Sequence, residues 1–302
     1  MKYPTFIKLL AVRTPILGRI IHEREQMRIA LHAISSENIR LSEELSLAAS
    51  ERDHFKQLLE AQKCGYCHCC RQNTVFRIEG EWLRDEYLCE NCFSIPRQRH
   101  IQYILDTCFE GWESLVIHES SPSNDFLSRY CASYTSSQYF DSEETGSFVG
   151  GIRCENLESL TFPNDSFDLL ITQDVFEHIF NPDVAAKEIM RVLKPGGAHV
   201  FTVPKEKNLS HSYQRARLVG SEIEHIENPI YHDNPVGNGK SLVTWVYGAD
   251  FEALLNRWSG GETTTYVTRD RYLGIDGEYL EVFVTKKPGY GVNEDGARAR
   301  SA

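Results

Sequence analysis

The chain has 302 residues, 41% hydrophobic and 25% charged, with a formal net charge of −11. That length holds one sizeable domain plus accessories, and the acidic balance argues against nonspecific nucleic-acid binding, which needs a basic field. No apolar run approaches the ~18 residues of a membrane span, and Lys8 and Arg13 interrupt the apolar stretch Phe6–Val12, so neither a transmembrane segment nor a signal peptide is expected.

Residues 1–19 form a short N-terminal segment. Residues 20–63 are rich in Glu, Arg, Leu and Ala. Met27, Leu31, Ile34, Leu41, Leu45, Ala48, Phe55 and Leu59 recur there with alternating spacings of three and four, and Asn38 and Arg52 fill the same stripe. This heptad pattern predicts a coiled-coil helix, and an Asn in the seam favours a parallel homodimer. A single amphipathic helix packed on its own chain is the alternative.

Residues 64–95 hold Cys67-x-x-Cys70 and Cys89-x-x-Cys92, with eighteen residues between the pairs. Two such knuckles complete a closed four-thiolate zinc site, structural rather than catalytic. Cys64-x-x-Cys67 is a competing pair, and Cys69 and His68 lie close by. A metal site in a reducing, cytoplasmic setting suits these thiols better than a disulfide scaffold.

Residues 96–287 read as an α/β domain. A lead-in helix spans about 97–109, a first strand 114–118, its helix 125–131 and a second strand 133–140. The apolar run Leu169 to Ile171 then ends in Gln173 and Asp174. That is a buried parallel strand delivering polar residues to its C-terminal edge, where α/β sheets bind ligands. A helix is expected from there to Lys194-Pro195-Gly196-Gly197, which would put Asp174 and His178 on one helical face. A strand at 199–203, a long polar insertion at 205–247, a helix at 251–258 and a terminal antiparallel hairpin at 263–268 and 279–285 complete the domain. Residues 288–302 have little apolar content and predict a disordered tail.

The phrases Leu160-Thr161-Phe162-Pro163, Asp174-Val175-Phe176-Glu177-His178 and Lys194-Pro195-Gly196-Gly197 resemble the late half of a class I S-adenosylmethionine-dependent methyltransferase, of the methyltransferase type 11-like kind. The segment Ser94-Ile95-Pro96-Arg97-Gln98-Arg99 resembles the end of a zinc knuckle fused ahead of some bacterial methyltransferases. That resemblance favours Cys67, Cys70, Cys89 and Cys92 as the zinc ligands. It implies a Rossmann-like sheet with an antiparallel terminal hairpin, preceded by the knuckle, and the heptads place the coiled-coil helix ahead of both.

The resemblance also implies where the cofactor S-adenosylmethionine sits. The family places an acid and a glycine-rich loop after the first strand. This chain has Glu119-Ser120-Ser121-Pro122 instead, so the acid is present and the glycines are not. Glu119 is expected near the ammonium of the methionine moiety, with Ser120 and Ser121 beside it. Gln138, or the nearby Asp141, is placed at the ribose, Asn156 at the adenine amino group, Leu157 over the adenine face and Gln173 at the cofactor where it meets the acceptor. His232, in the insertion with His225, Tyr231 and Asn234, ranks first as general base. Asp174 and His178 complete the candidate catalytic set, although the Glu177-His178 pair also reads as an anchor of its helix.

The resulting expectation is a methyltransferase acting on a small-molecule, sugar or glycan-type acceptor. Two rival readings are a noncatalytic scaffold on the same fold and a nucleic-acid methyltransferase. The latter would use the knuckle as reader, with Arg97, Arg99 and His100 as a basic strip.

Overall fold

A computed structural model describes residues 15–61, 64–233, 239–289, 291–292 and 298–299. The N-terminal segment before Pro15, Asn234, most of the expected tail, and the seam side chains Phe55 and Leu59 lie outside what it describes. The chain divides into two units, up to Ala61 and from Gln62 onward.

The first unit is one helix, α1 (Pro15–Ala61), opened by a proline where its missing N–H costs nothing. Its seam residues Met27, Leu31, Ile34, Leu41 and Leu45 are all exposed, as are Ile29, Ile39 and Leu47 elsewhere on its surface.

The second unit begins with a three-stranded sheet, β1 (Cys64–Cys67), β2 (Gln72–Ile78) and β3 (Tyr87–Cys89), with the short helix α2 (Leu83–Glu86) before β3. Gly65 is required here. A Cβ would fall 1.9 Å from the Tyr272 carbonyl oxygen, which accepts the Tyr66 N–H at 2.8 Å. The knuckle is thereby sewn to the loop before the last strand.

After the lead-in helix α3 (Pro96–Cys108) come β4 (Val116–Ser120), α4 (Phe126–Tyr130), β5 (Ser133–Gln138), β6 (Phe148–Val149), β7 (Ile152–Cys154), β8 (Phe167–Gln173), α5 (Pro182–Val192) and β9 (Leu193–Thr202). The insertion folds into three small ribbons. In these, β10 (Tyr213–Gln214) pairs with β15 (Trp245–Val246), β11 (Ala216–Val219) with β12 (Glu222–His225), and β13 (Tyr231–Asp233) with β14 (Lys240–Leu242). Helix α6 (Phe251–Ser259) and the antiparallel pair β16 (Glu262–Tyr266) and β17 (Val282–Lys286) complete the main sheet's side of the unit.

The main sheet has the order β16-β17-β9-β8-β4-β5-β7-β6. Strands β9, β8, β4, β5 and β7 run parallel, and β17 lies antiparallel against β9. This is a mixed α/β fold with a parallel-rich sheet, as the strand pattern predicts.

Alternation along the strands builds a layer on each face. Leu169, Ile171, Val200, Val282 and Val284 pack with Ile101, Ile104 and Leu105 of α3. Leu170, Phe201 and Phe283 pack with Ala185 and Ile189 of α5 and with Phe251 and Leu255 of α6. Burial on both faces is why β8 reads as a continuous apolar run.

The expected helix after β8 needs correction. Asp174 has φ +53°, Phe176–His178 form a 3-10 turn, and α5 begins only at Pro182. Asp174 and His178 therefore do not share a helical face. Pro182 sets the start of α5 because a proline is tolerated only in the first turn.

Candidate functional site

The C-terminal ends of β4, β5, β7 and β8 open onto a cavity of about 1090 Å³, where parallel sheets take ligands. Ser120, Ser121, Gln138, Asn156, Leu157 and Gln173 all line it. Ser121 stands at φ +57°, a left-handed conformation uncommon for residues with a side chain. Its N–H is held by the Ser137 carbonyl at 2.8 Å. The serine loop thus makes a turn of the kind glycine makes readily.

Glu119 is not on the cavity wall. It is wholly buried behind it, accepting from Tyr134 Oη at 2.8 Å and from Gln173 Nε2 at 2.9 Å. Burial pushes its carboxyl up to about 7, against the opposing effect of those two hydrogen bonds. By occupying Nε2, Glu119 fixes the Gln173 amide, whose Oε1 is buried without a partner among the described residues. Gln138 and Asp141 both reach the cavity, and Asp141 accepts from Tyr139 Oη at 3.1 Å. Asn156 Oδ1 accepts the Glu158 N–H at 2.9 Å, and Leu157 belongs to the core as well as to the wall.

The other end of the cavity is built around Asp174. Its Oδ2 accepts from Arg84 Nη2 at 2.6 Å and lies 3.3 Å from Arg97 Nη1, while Thr202 Oγ1 donates to Oδ1 at 2.8 Å. Burial alone would raise this carboxyl, but the two guanidiniums hold it below the usual carboxylate range. Arg84 comes from the cysteine-rich region, which therefore furnishes part of the site, and Arg97 from the start of α3.

Next to Asp174 sits Glu177, 2% exposed. Burial and the Asp174 charge push its carboxyl well above the ordinary range. His178 Nε2 and His232 Nδ1 each lie 3.8 Å from Glu177 Oε1, and the two rings meet edge to face with centroids 5.1 Å apart. Burial lowers His178 to about 4 and lowers His232 as well. Tyr231 and His232 of β13 line the cavity, whereas His225 is exposed on β12 and does not.

The four paired cysteines converge. Cys67 and Cys92 Sγ atoms are 3.7 Å apart, Cys70 and Cys89 3.9 Å, and all four sulfurs fall within 4.8 Å of one another. Ser94 Oγ and Thr74 Oγ1 approach them at 3.2–3.4 Å. The competing Cys64 is exposed and Cys69, though buried, is outside the group. This donor set fits a thiophilic tetrahedral ion.

The expected basic strip is not a surface feature. Arg99 is fully buried, donating to the Tyr87 and Gly274 carbonyls with its guanidinium 4.7 Å from the Phe76 ring centroid. His100 is buried against the Leu280 carbonyl, and Arg97 pairs with Asp85 at 2.6 Å. Arg84, Tyr134 and Glu177 are site residues that sequence reasoning missed. Only Glu177 carried a signal, its place in the Glu-His pair.

Residues 127–201 match the family described as a methyltransferase domain. A 42-residue stretch is 48% identical to the ubiquinone/menaquinone biosynthesis C-methyltransferase UbiE of Hydrogenovibrio crunogenus, covering 14% of this chain and 16% of that protein. Among solved structures, the Burkholderia thailandensis 1,6-didemethyltoxoflavin-N1-methyltransferase with bound S-adenosylhomocysteine is similar at TM-score 0.40 and 12% identity, over 64% of this chain and 78% of that one. An S-adenosylmethionine-dependent methyltransferase from Mesorhizobium loti is similar at TM-score 0.41 and 15% identity, over 62% of this chain and 98% of that one. The family match falls on α4, β5, β8 and β9, and with the parallel-rich sheet it supports a class I methyltransferase.

Proposed function

We propose that the protein is an S-adenosylmethionine-dependent methyltransferase acting on a small-molecule, sugar or glycan-type acceptor. One observation carries this reading. Gln173 Oε1 is a buried acceptor with no partner among the described residues at the end of β8, and Gln173 lines the cavity. A bare acceptor in such a place calls for a donor from a ligand, and the ammonium of the methionine moiety is one. Ser120 and Ser121 would hold the same end, Gln138 or Asp141 the ribose hydroxyls, and Asn156 and Leu157 the adenine.

When bound, the cofactor supplies a methyl group activated on a sulfonium. The chain's own part is proximity, orientation and exclusion of water. Asp174, committed to Arg84 and Arg97, is a positioning residue. His178 and His232 stand with Glu177 at the acceptor end. The same proposal includes a structural zinc on Cys67, Cys70, Cys89 and Cys92, a cytoplasmic location that keeps those thiols reduced, and a parallel homodimer through the seam of α1.

Calorimetric titration of the full chain with S-adenosylhomocysteine tests the function. One micromolar site per chain is expected. No detectable binding at millimolar ligand would overturn the enzyme reading and leave the scaffold reading, which the Ser121-Pro122 loop favours.

A further inference from the structure

Glu177 differs from Glu119 and Asp174, the other buried acids near the cavity. Neither of its carboxylate oxygens has a hydrogen-bond partner among the described residues. A buried carboxylate left this way is costly unless something else compensates it. Among the described residues the basic side-chain atoms within 4.0 Å of it are His178 Nε2 and His232 Nδ1, each 3.8 Å from Oε1. That is too long for a hydrogen bond. It is close to the spacing of ligands around one ion, since bonds of about 2.0–2.2 Å place neighbouring donor atoms roughly 3.4 Å apart.

The surroundings prepare these three groups as ligands. His178 Nδ1 lies 2.8 Å from the Leu242 carbonyl, so Nδ1 carries the proton and Nε2 turns its lone pair to the cluster. A hydrogen bond of this kind on the far nitrogen is the usual support of a ligating histidine. The Glu177 carbonyl accepts both the N–H and the hydroxyl of Thr244, at 2.8 and 3.0 Å, which pins the backbone between the two ligands.

We propose that Glu177, His178 and His232 hold one divalent transition-metal cation at the acceptor end of the cavity, its remaining coordination positions open to oxygen atoms of the acceptor. Two imidazoles and one carboxylate suit Fe²⁺, Mn²⁺ or Zn²⁺, and three protein ligands leave room for a fourth from outside. The acceptor class follows: a molecule presenting a hydroxyl, best of all two neighbouring hydroxyls able to chelate. The cation lowers the pKa of a bound hydroxyl, as it does for bound water. The released proton has an exit past His232, the half-exposed member of the trio. The cation site stands on its own geometry, while the use of its open positions rests on the methyl-transfer reading.

Mn²⁺ is the probe, because oxygen and nitrogen donors suit it and a thiolate cluster does not. Calorimetric titration of the full chain with MnCl₂ is expected to show one site. That site should weaken about ten-fold or more in Glu177→Gln and in His232→Ala, while S-adenosylhomocysteine affinity stays within about two-fold of wild type. Glu177→Gln preserves shape and His232 lies on an exposed ribbon, so retained S-adenosylhomocysteine binding also reports that both variants are folded. The proposal is overturned if wild type takes no Mn²⁺, or if the two variants bind it as wild type does. Mn²⁺ binding without S-adenosylhomocysteine binding would uphold the cation site and sink the methyltransferase reading instead.

Discussion

The four thiols and the Glu177–His178–His232 trio both bring ligand atoms within 4.8 Å of one another, and they are built by opposite means. The thiols come from two tight turns of one small sheet, with two members buried and two half-buried. Four sulfurs fill a tetrahedron and leave nothing open, so such a site can only hold structure together. The trio joins a 3-10 turn at the end of β8 to a ribbon of the distant insertion. It would supply three ligands of mixed kind, and its two histidines line a cavity. Closure marks the first as architecture, and an open side marks the second as a place for chemistry.

The largest expected effect breaks the comparison from the thiol side. Cys89→Ser removes one of four ligands from the proposed zinc. Structural zinc sites are worth on the order of 10 kcal/mol at neutral pH, so the variant should yield little folded protein. Any folded remainder should lack zinc by elemental analysis. Because Arg84, between the two cysteine pairs, and Arg97, just after them, hold Asp174, that remainder should also be impaired at the cavity. An unchanged melting temperature together with an unchanged zinc content would show that the thiols are not a zinc site.

Legibility in the sequence followed locality. The cysteine pairs, the strand at Leu169–Ile171 and the terminal hairpin each lie within a short window, and their residue types and periodicity mark them directly. The Rossmann-like sheet could be anticipated through the family resemblance, whereas the short strands β6 and β7 carry too few residues to show a pattern. The trio could not, since His178 and His232 are separated by the whole winding of the insertion, and the spacing of 174 and 178 suggested a helix that Pro182 postpones. Arg84 and Tyr134 were invisible for the same reason. Each matters only through a partner far along the chain, Asp174 in one case and Glu119 in the other. Arg99 misled in the opposite direction, because a charge placed in a basic phrase turned out to be a buried bracket between the knuckle and Gly274.

A smaller effect should separate the two ends of the cavity. Glu119 accepts from both Tyr134 and Gln173, so Glu119→Gln places an amide donor where only acceptors satisfy its neighbours. The Gln173 amide is then expected to turn, presenting Nε2 to the cavity in place of Oε1. S-adenosylhomocysteine binding should weaken by about 1–3 kcal/mol, the range for a lost hydrogen bond to a charged group. Gln173→Ala should cost a similar amount, and the double variant little more than either alone. Mn²⁺ affinity should not move. Equal losses of both ligands would mean that the cavity is one coupled site rather than two ends with separate duties.

The smallest effect concerns a histidine that should bind nothing. His199 is buried, lies 3.0 Å by Nε2 from Thr172 Oγ1, and stacks on Phe201 with ring centroids 4.1 Å apart. Burial lowers its pKa to about 3, against about 6.5 in an unfolded chain. With the folded value depressed, the unfolded chain binds the extra proton, so the stability this neutral ring contributes is present above pH 6.5. It is lost progressively as pH falls from 6.5 toward 3. Between pH 7.5 and 5.5 the loss comes to about 1 kcal/mol. His199→Gln removes the titrating group, so its stability deficit relative to wild type should shrink by that amount at pH 5.5, read from denaturant midpoints. Mn²⁺ should leave this difference unchanged, because His199 does not line the cavity. A deficit that responds to Mn²⁺ would show that His199 is linked to the cation site, and would blur the line between the histidines that hold the sheet and the two that face the cavity.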